Sequence, residues 1–220
     1  MSGLKITILS DQKSWINHYI LSLVHSLKAQ GNVARWVHKA QDIPKGDLVF
    51  CLGCGQILSP EILNRNLHNL VVHESALPKG KGWSPLTWQI LEGKTKIPIT
   101  LFEAAESIDS GKIYFQDILE FKGDELVDEL RQLQAEKSIQ MCLQFVEQYP
   151  EILNSAQEQL GEPTYYSRRT PKDSQLDPDK TIREQFNLLR VVDNDRYPAF
   201  FEIDGNVYTI KIEKTRKEGD

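Results

Sequence analysis

From residue 4 to about residue 121, short apolar runs alternate with stretches whose apolar residues recur at helical spacing. That alternation points to βαβ units around a largely parallel sheet. Residues 4–9 (LKITIL) read as a first strand. Trp15, Ile16, Tyr19, Ile20, Leu23, Val24 and Leu27 then form a helical stripe, with Ser10 or Asp11 placed to cap it and Gly31 to end it. Further strands are expected at residues 33–37 and 47–52, the latter (DLVFCL) nearly all apolar, as strands buried on both faces are. Ser59-Pro60-Glu61 opens a helix with a capping residue followed by proline. Residues 70–73 read as a fourth strand, Ser84-Pro85 as the start of a helix that Gly93 ends, and residues 97–102 and 112–119 as fifth and sixth strands. A long amphipathic helix over residues 124–148 turns Leu126, Leu130, Leu133, Met141, Cys142, Phe145 and Val146 inward. The expected class is α/β, a doubly wound, mainly parallel sheet with helices on both faces.

The character changes after Pro150. Residues 161–180 (GEPTYYSRRTPKDSQLDPDK) are proline-rich, charged and aperiodic, and read as loop. A short helix over residues 181–190 and a hairpin (200–203, a turn at Asp204-Gly205, 207–212) complete the chain. The expected division is a main α/β domain over residues 1–150 and a C-terminal extension of loop, helix and hairpin over residues 151–220, packed on it.

With 220 residues, 40% hydrophobic and 26% charged, the chain has the make-up of a globular protein with a sizeable core. No run approaches the length of a membrane span. The opening MSGLKITILSDQ is too briefly apolar and too soon acidic for a secretion signal, so a cytoplasmic location is expected. The formal net charge of −5 gives no basic field that would argue for nucleic acid. Cys51 and Cys54 form a lone Cys-x-x-Cys with Cys142 far away, and the expectation is buried free thiols and no metal site.

In open α/β sheets ligands bind beyond the carboxyl ends of the strands, and three segments are expected there. They are residues 53–58 (GCGQIL), residues 73–82 (HESALPKGKG) and residues 103–111 (EAAESIDSG). Gly53 and Gly55 lack the third glycine of a dinucleotide fingerprint and follow the third strand, so that reading is rejected. A tight turn and an exposed backbone edge for a flat ligand stay open in equal measure. Of five histidines, only His73 runs from an apolar strand into a rigid Pro/Gly loop. It is either a satisfied core histidine or an acid–base group, and Asp109 is either a turn residue or its partner.

The stretch HESALPKGKGWSP, then a helix, then ITLFEAAESIDSGKIYFQ, resembles the formyltransferase family that uses 10-formyltetrahydrofolate. That family's pattern is Asn-x-His-x-Ser-x-Leu-Pro, a Gly-x-x-x-Pro step and Asp-x-Gly before a strand. His73, Ser75, Leu77, Pro78, Gly82, Asp109 and Gly111 match it in order and spacing, and Pro85 fits less closely. LGCGQILSPEIL resembles the family's pterin-binding loop and following helix, and the resemblance covers about residues 4–150. It implies a Rossmann-like fold, His73 and Asp109 as the catalytic pair, and 10-formyltetrahydrofolate as co-substrate with no metal. It also implies donor contacts from Gly55, Gln56, Leu58, Pro78, Glu103, Ala104 and Ser107. The family's Asn, whose amide steadies the formyl oxygen as it becomes an oxyanion, is Val71 here. Losing such a donor typically costs on the order of 100- to 1000-fold. Asn69, Ser75 and Glu74 are the candidates for a replacement, and Glu74, where the family often has Pro, can donate only if protonated.

Among the family's acceptors, methionyl-tRNA is disfavoured by the absence of a basic surface and of a larger RNA-binding domain. Glycinamide ribonucleotide is the runner-up. The tail TYYSRRTPKDSQLDPDKTIREQFNLLR, followed by RYPAFF and a hairpin, resembles sugar N-formyltransferases. The wording around His73 is similar to those of pseudaminic-acid-type pathways of glycan biosynthesis. The acceptor so implied is the amine of a nucleotide-linked sugar, such as a UDP-4-amino-4,6-dideoxy-N-acetyl sugar. Lys79, Lys81 and Gly82 are placed near its diphosphate; Arg168 and Arg169 are either part of that site or a solvated turn. Small-molecule substrate, no nucleic acid, no membrane and, as an open point, a homodimer complete the expectation. A folate- or nucleotide-binding relative without catalysis is the alternative that Val71 leaves standing.

Overall fold

The computed structural model describes residues 3–215. The elements in chain order are β1 (Lys5–Leu9), α1 (Asn17–Ala29), β2 (Val33–Val37), β3 (Gly46–Cys51), α2 (Pro60–Leu63), β4 (Asn66–His73), β5 (Lys81–Gly82), α3 (Pro85–Leu91), β6 (Lys96–Glu103), β7 (Ile113–Glu120), α4 (Val127–Glu147), β8 (Tyr165–Tyr166), α5 (Phe186–Val191), β9 (Ala199–Ile203) and β10 (Asn206–Ile210). Six strands form one sheet in the order β2-β1-β3-β4-β6-β7. β2, β1, β3 and β4 run parallel, whereas β6 and β7 are antiparallel to their neighbours. The doubly wound α/β expectation is met.

Side-chain alternation explains why β3 is apolar from Leu48 to Cys51. Leu48 and Phe50 face the larger apolar cluster, where α1 and α4 pack with Leu23, Leu27, Leu130 and Phe145. Val49 and Cys51 face the opposite side and join Leu9, Ile43 and Leu58. A strand covered on both faces needs apolar residues at every position. Leu133, expected on the inner side of α4, lies at the surface instead, 36% exposed.

Two expectations about capping and loops are corrected. Neither Ser10 nor Asp11 caps α1, which starts after Ile16 with no side-chain cap. Ser10 Oγ donates to Asn17 Oδ1 and Asp11 turns toward residues 55–56. The segment read as pure loop after Pro150 contains β8, which pairs in parallel with β5. A two-residue strand has no periodicity to read, because its pairing partner lies over 80 positions away. The short helix comes late, at Phe186–Val191 rather than 181–190. A third apolar cluster of Leu176, Leu189, Val192 and Ala199 anchors the extension. Arg190, 2% exposed, ties it to the start of α4 through Glu125, donating to its backbone oxygen at 3.0 Å and to Oε2 at 2.8 Å.

Candidate active site

Three adjoining hollows open along the carboxyl edge of β3 and β4. The first, a narrow cleft, lies between residues 54–58 and residues 104–109, with Val71 and Phe102 at its base. The second, a crevice, holds Val71, His73, Glu74, Gly82, Asp109 and Gln134. The third, an outer cavity, lies between α3, α4 and the extension, and includes Glu74, Gln134, Arg131, Arg168, Arg169 and Tyr197. Trp83 lines all three.

The cleft's first wall follows directly from β3. Its chain must turn sharply at Gly53, where φ is +54° and a Cβ would sit 2.5 Å from Ser14 Oγ. Asp11 then fixes the loop: Gly55 N donates to its Oδ2 at 2.8 Å and Gln56 Nε2 to its Oδ1 at 2.7 Å. Sequence reading gave Asp11 no role here, since the contact spans 44 positions. The second wall arrives differently from the expectation. β6 is antiparallel to β4, with Glu103 opposite Leu70 and Thr100 opposite His73. Residues 104–109 therefore leave from the far end of β6 and double back along the sheet to reach His73. Gly111 makes the return, lying so close to Glu103 that a Cβ would be 1.8 Å from its carbonyl oxygen.

His73 and Asp109 meet where cleft and crevice join. His73 is 7% exposed, and its Nε2–H donates to the Gly80 carbonyl at 2.8 Å, since a carbonyl only accepts. Asp109 Oδ2 lies 3.7 Å from the same nitrogen, which puts a carboxylate charge beside the ring without a direct hydrogen bond. Asp109 sits in the left-handed region at φ +49° and accepts from Gly82 N at 2.8 Å. A non-glycine residue held at positive φ marks a conformation that the surroundings impose.

Those surroundings come largely from the extension. Gly80 N donates to Thr164 Oγ1 at 2.8 Å, Lys81 N to the Thr164 carbonyl at 2.9 Å and Trp83 N to the Tyr166 carbonyl at 3.2 Å. Gln159 Nε2 donates to the carbonyls of Asp109 at 2.8 Å and Gly111 at 2.9 Å. Both loops, the one after His73 and the one that carries Asp109, are thus clamped by residues beyond 150. At Gly82, with φ +96°, a Cβ would lie 2.6 Å from the Tyr166 carbonyl oxygen, so only glycine lets β5 and β8 approach.

The other expected site residues divide. Gly55, Gln56, Leu58, Ala104 and Ser107 line the cleft, and Gly82 lines both cleft and crevice. The Gln56 side chain is occupied by Asp11, the His38 carbonyl and the Ala40 amide, so it holds the loop. Pro78 and Glu103 do not line these hollows. Glu103 lies lower on the sheet, accepting from Asn69 N, from Tyr114 Oη and from His68. Lys79 is exposed and Lys81 is buried in β5, and neither lines any of the three hollows. Arg168 and Arg169 do: Arg168 stacks over the Trp83 ring at 4.8 Å, and Arg169 is half-buried beside the Asp173 carbonyl. Burial of Arg169 lowers its pKa from the usual range.

Of the three candidates to replace the missing amide at Val71, Asn69 spends its Nδ2 on the Leu63 carbonyl, and Ser75 is buried behind the loop. Glu74 alone opens on the crevice. The cysteines are free; burial raises the Cys51 thiol and raises that of Cys54 to about 12, so both stay protonated. Among the described residues no cluster of three or more His, Cys, Asp or Glu could hold a metal ion, and no helix is long and apolar enough to cross a membrane.

A mainly parallel sheet of this topology, with a histidine and an aspartate meeting beside a cleft at its carboxyl edge, places the chain among Rossmann-like α/β proteins. The chain belongs to the formyl transferase family, whose model matches residues 8–146. It is 27% identical over 157 residues to the methionyl-tRNA formyltransferase of Clostridium acetobutylicum, an alignment covering 70% of this chain and 50% of that protein. The chain thus spans about half the length of that curated relative. In fold it is similar to a methionyl-tRNA formyltransferase from Clostridium thermocellum, with a TM-score of 0.78, 22% identity and coverage of 99% of this chain and 96% of that one. It is similar also to a 4-N formyltransferase from Francisella tularensis, with a TM-score of 0.74, 21% identity and coverage of 99% and 100%.

Proposed function

We propose that the protein transfers a formyl group from 10-formyltetrahydrofolate to the amine of a nucleotide-linked amino sugar. The observation that carries the transfer is the meeting of His73 and Asp109 between the cleft and the crevice. The cleft fits the donor's flat head: its walls are Ile57, Leu58, Val71, Phe102, Ala104 and backbone edges, an apolar slot with polar rims. The donor supplies an activated formyl carbon to the amine. His73, held at Nε2 by Gly80, is the group that moves a proton at the joint of the two hollows. Asp109 holds negative charge beside it, and Gly82 N keeps that carboxylate in place.

The acceptor reading rests on the outer cavity. Arg168 and Arg169 lie on its wall beside Trp83, and no carboxylate pairs with either among the described residues. Guanidiniums next to an aromatic face suit a phosphate and a base. They take the diphosphate role first assigned to Lys79 and Lys81. A second reading, formylation of methionyl-tRNA, is favoured by the Clostridium relatives and opposed by the net charge of −5. The test is to incubate the protein with 10-formyltetrahydrofolate and, separately, UDP- and dTDP-linked 4-amino sugars, methionyl-tRNA and glycinamide ribonucleotide. Gain of one CO in mass by an amino-sugar nucleotide is expected; modification of the tRNA alone overturns the sugar reading.

A further inference from the structure

Glu74 stands where it divides the two sides of the site. It lines the crevice and the outer cavity but not the cleft, whereas Val71 lines the crevice and the cleft but not the outer cavity. A group that faces the formyl oxygen would have to reach the side of Val71. Glu74 faces the side from which the acceptor comes.

The residue is held with care. Gln134 Nε2, from α4, donates to Glu74 Oε1 at 2.7 Å. Gln89 Nε2, from α3, donates to the Glu74 carbonyl at 2.6 Å and to that of Pro85 at 3.2 Å. Gln89 is 4% exposed, a buried amide on an otherwise apolar helix face. Besides the Glu74 backbone itself, Gln134 is the hydrogen-bond partner of this carboxyl among the described residues, and no Lys, Arg or His nitrogen among them forms a salt bridge with it. The charged groups that line the crevice or the outer cavity with it are His73 at the end of β4, Asp109 on the returning loop, Asp11 and Lys13 after β1, Arg131 on α4, and Arg168, Arg169, Asp193 and Arg196 on the extension. Arg131 is already paired with Asp193 at 2.8 Å.

We propose that Glu74 receives the acceptor's amine: its carboxylate binds the incoming ammonium in the crevice and takes one proton from it. This rests on the formyl-transfer reading above. The step balances without a further reactant. One N–H bond of the ammonium breaks, one O–H bond forms on Glu74, and the nitrogen keeps the electron pair with which it bonds the formyl carbon. Removal from water raises the Glu74 pKa above the usual glutamate range, with the nearby His73 acting in the opposite direction. A carboxyl moved upward is better matched to an amine's proton than an ordinary one. The protonated-donor role considered for Glu74 at the formyl oxygen is thereby set aside in favour of a role toward the nucleophile.

Glu74→Gln tells these apart, because glutamine keeps the shape, cannot take a proton, and supplies a permanent amide donor. The full chain is assayed with 10-formyltetrahydrofolate and the pool of UDP- and dTDP-linked 4-amino sugars, from pH 6 to pH 10. Binding of 5-formyltetrahydrofolate and thermal melting are measured alongside. At neutral pH kcat/KM should fall about 100-fold or more, with the deficit shrinking once pH exceeds the amine's own pKa. Glu74→Asp should recover part of the loss, and folate binding should not change. A deficit constant across pH, unchanged rates, or a gain in turnover each overturns the proposal. No transfer by the unaltered protein to any amine in the pool, with folate bound, overturns the acceptor reading and this proposal with it. Failure to bind folate at all overturns the formyl-transfer reading first.

Discussion

The cleft and the outer cavity each adjoin the crevice that His73 lines, and they are built by different means. The cleft is made from two loops of the sheet domain, and its rims are mostly backbone, with Asp11 pinning one and Gln159 the other. The outer cavity is made from side chains on separate pieces of chain: Trp15 before α1, Glu74 just after β4, α3 and the residues before it, α4, and the extension. A narrow apolar slot between two pinned loops suits one constant ligand. A side-chain-lined cavity can be rebuilt by substitution, and under the proposed function it is where specificity for the acceptor would differ while the donor stays the same.

The comparison breaks first at the centre the two sides share. His73→Ala should reduce formyl transfer at least ~100-fold while leaving 5-formyltetrahydrofolate binding intact. Asp109→Asn should be nearly as damaging with little change in melting temperature, because the amide keeps the shape and the Gly82 N–H contact but removes the charge. Near-normal turnover in a folded His73→Ala protein would remove it from the chemistry.

Next in size is Gly82→Ala, which tests whether the extension positions the pair. A Cβ 2.6 Å from the Tyr166 carbonyl, at φ +96°, forces β5 and β8 apart. The strain alone is worth about 1–3 kcal/mol. Because Gly82 N holds Asp109, kcat should fall further than the lowered melting temperature accounts for. A variant that melts early but turns over normally would make the clamp a matter of stability only.

The two sides should then separate in KM. Asp11→Ala frees Gly55 and Gln56 and should raise KM for the donor several-fold with KM for the acceptor unchanged. Arg168→Ala with Arg169→Ala should do the reverse, by ~10-fold or more, as expected for losing charge-assisted contacts to phosphate. If either change moves both constants equally, the two hollows do not act as separate binding sites.

How far the sequence discloses this arrangement follows the same divide. The sheet is legible because burial on both faces forces β3 and its neighbours to be apolar. The meeting of His73 and Asp109 is legible because His73 ends a strand and Asp109 precedes one, each inside a patterned segment. The antiparallel turn of β6 is not, since apolar periodicity carries no direction, and it changes how residues 104–109 reach the site. Nor is the β5–β8 pairing, which joins Lys81 to Tyr165 through main-chain geometry alone. Lys79 and Lys81 drew attention by nearness in sequence to His73, yet Lys81 is turned into the protein, and the cavity's cations are Arg131, which pairs with Asp193, and Arg168 and Arg169. A usable clue was the lone glutamine in the apolar run of α3: Gln89 is buried to hold the Glu74 backbone.

The smallest effect is expected from Val71→Asn, and it is the one that defines the centre most sharply. Val71 is half-buried, faces both cleft and crevice, and lies level with Cys51 on β3 and Phe102 on β6. Strand geometry places it on the same face as His73, so an asparagine amide here would enter the family's position. Its surroundings do not welcome an amide. Cys51 and Phe102 flank it across the sheet, and burying an amide without partners costs roughly 1–3 kcal/mol. If the site already works without that donor, turnover should stay level or fall by less than ~10-fold, with a slightly lower melting temperature. If the family's donor is simply missing, turnover should rise by up to the 100- to 1000-fold that one such group can supply. We expect the former. Position 74 carries a glutamate held by two glutamines, so the site is rebuilt on its acceptor side rather than merely stripped on its donor side. A large gain in kcat, measured with 10-formyltetrahydrofolate saturating, would reverse that conclusion.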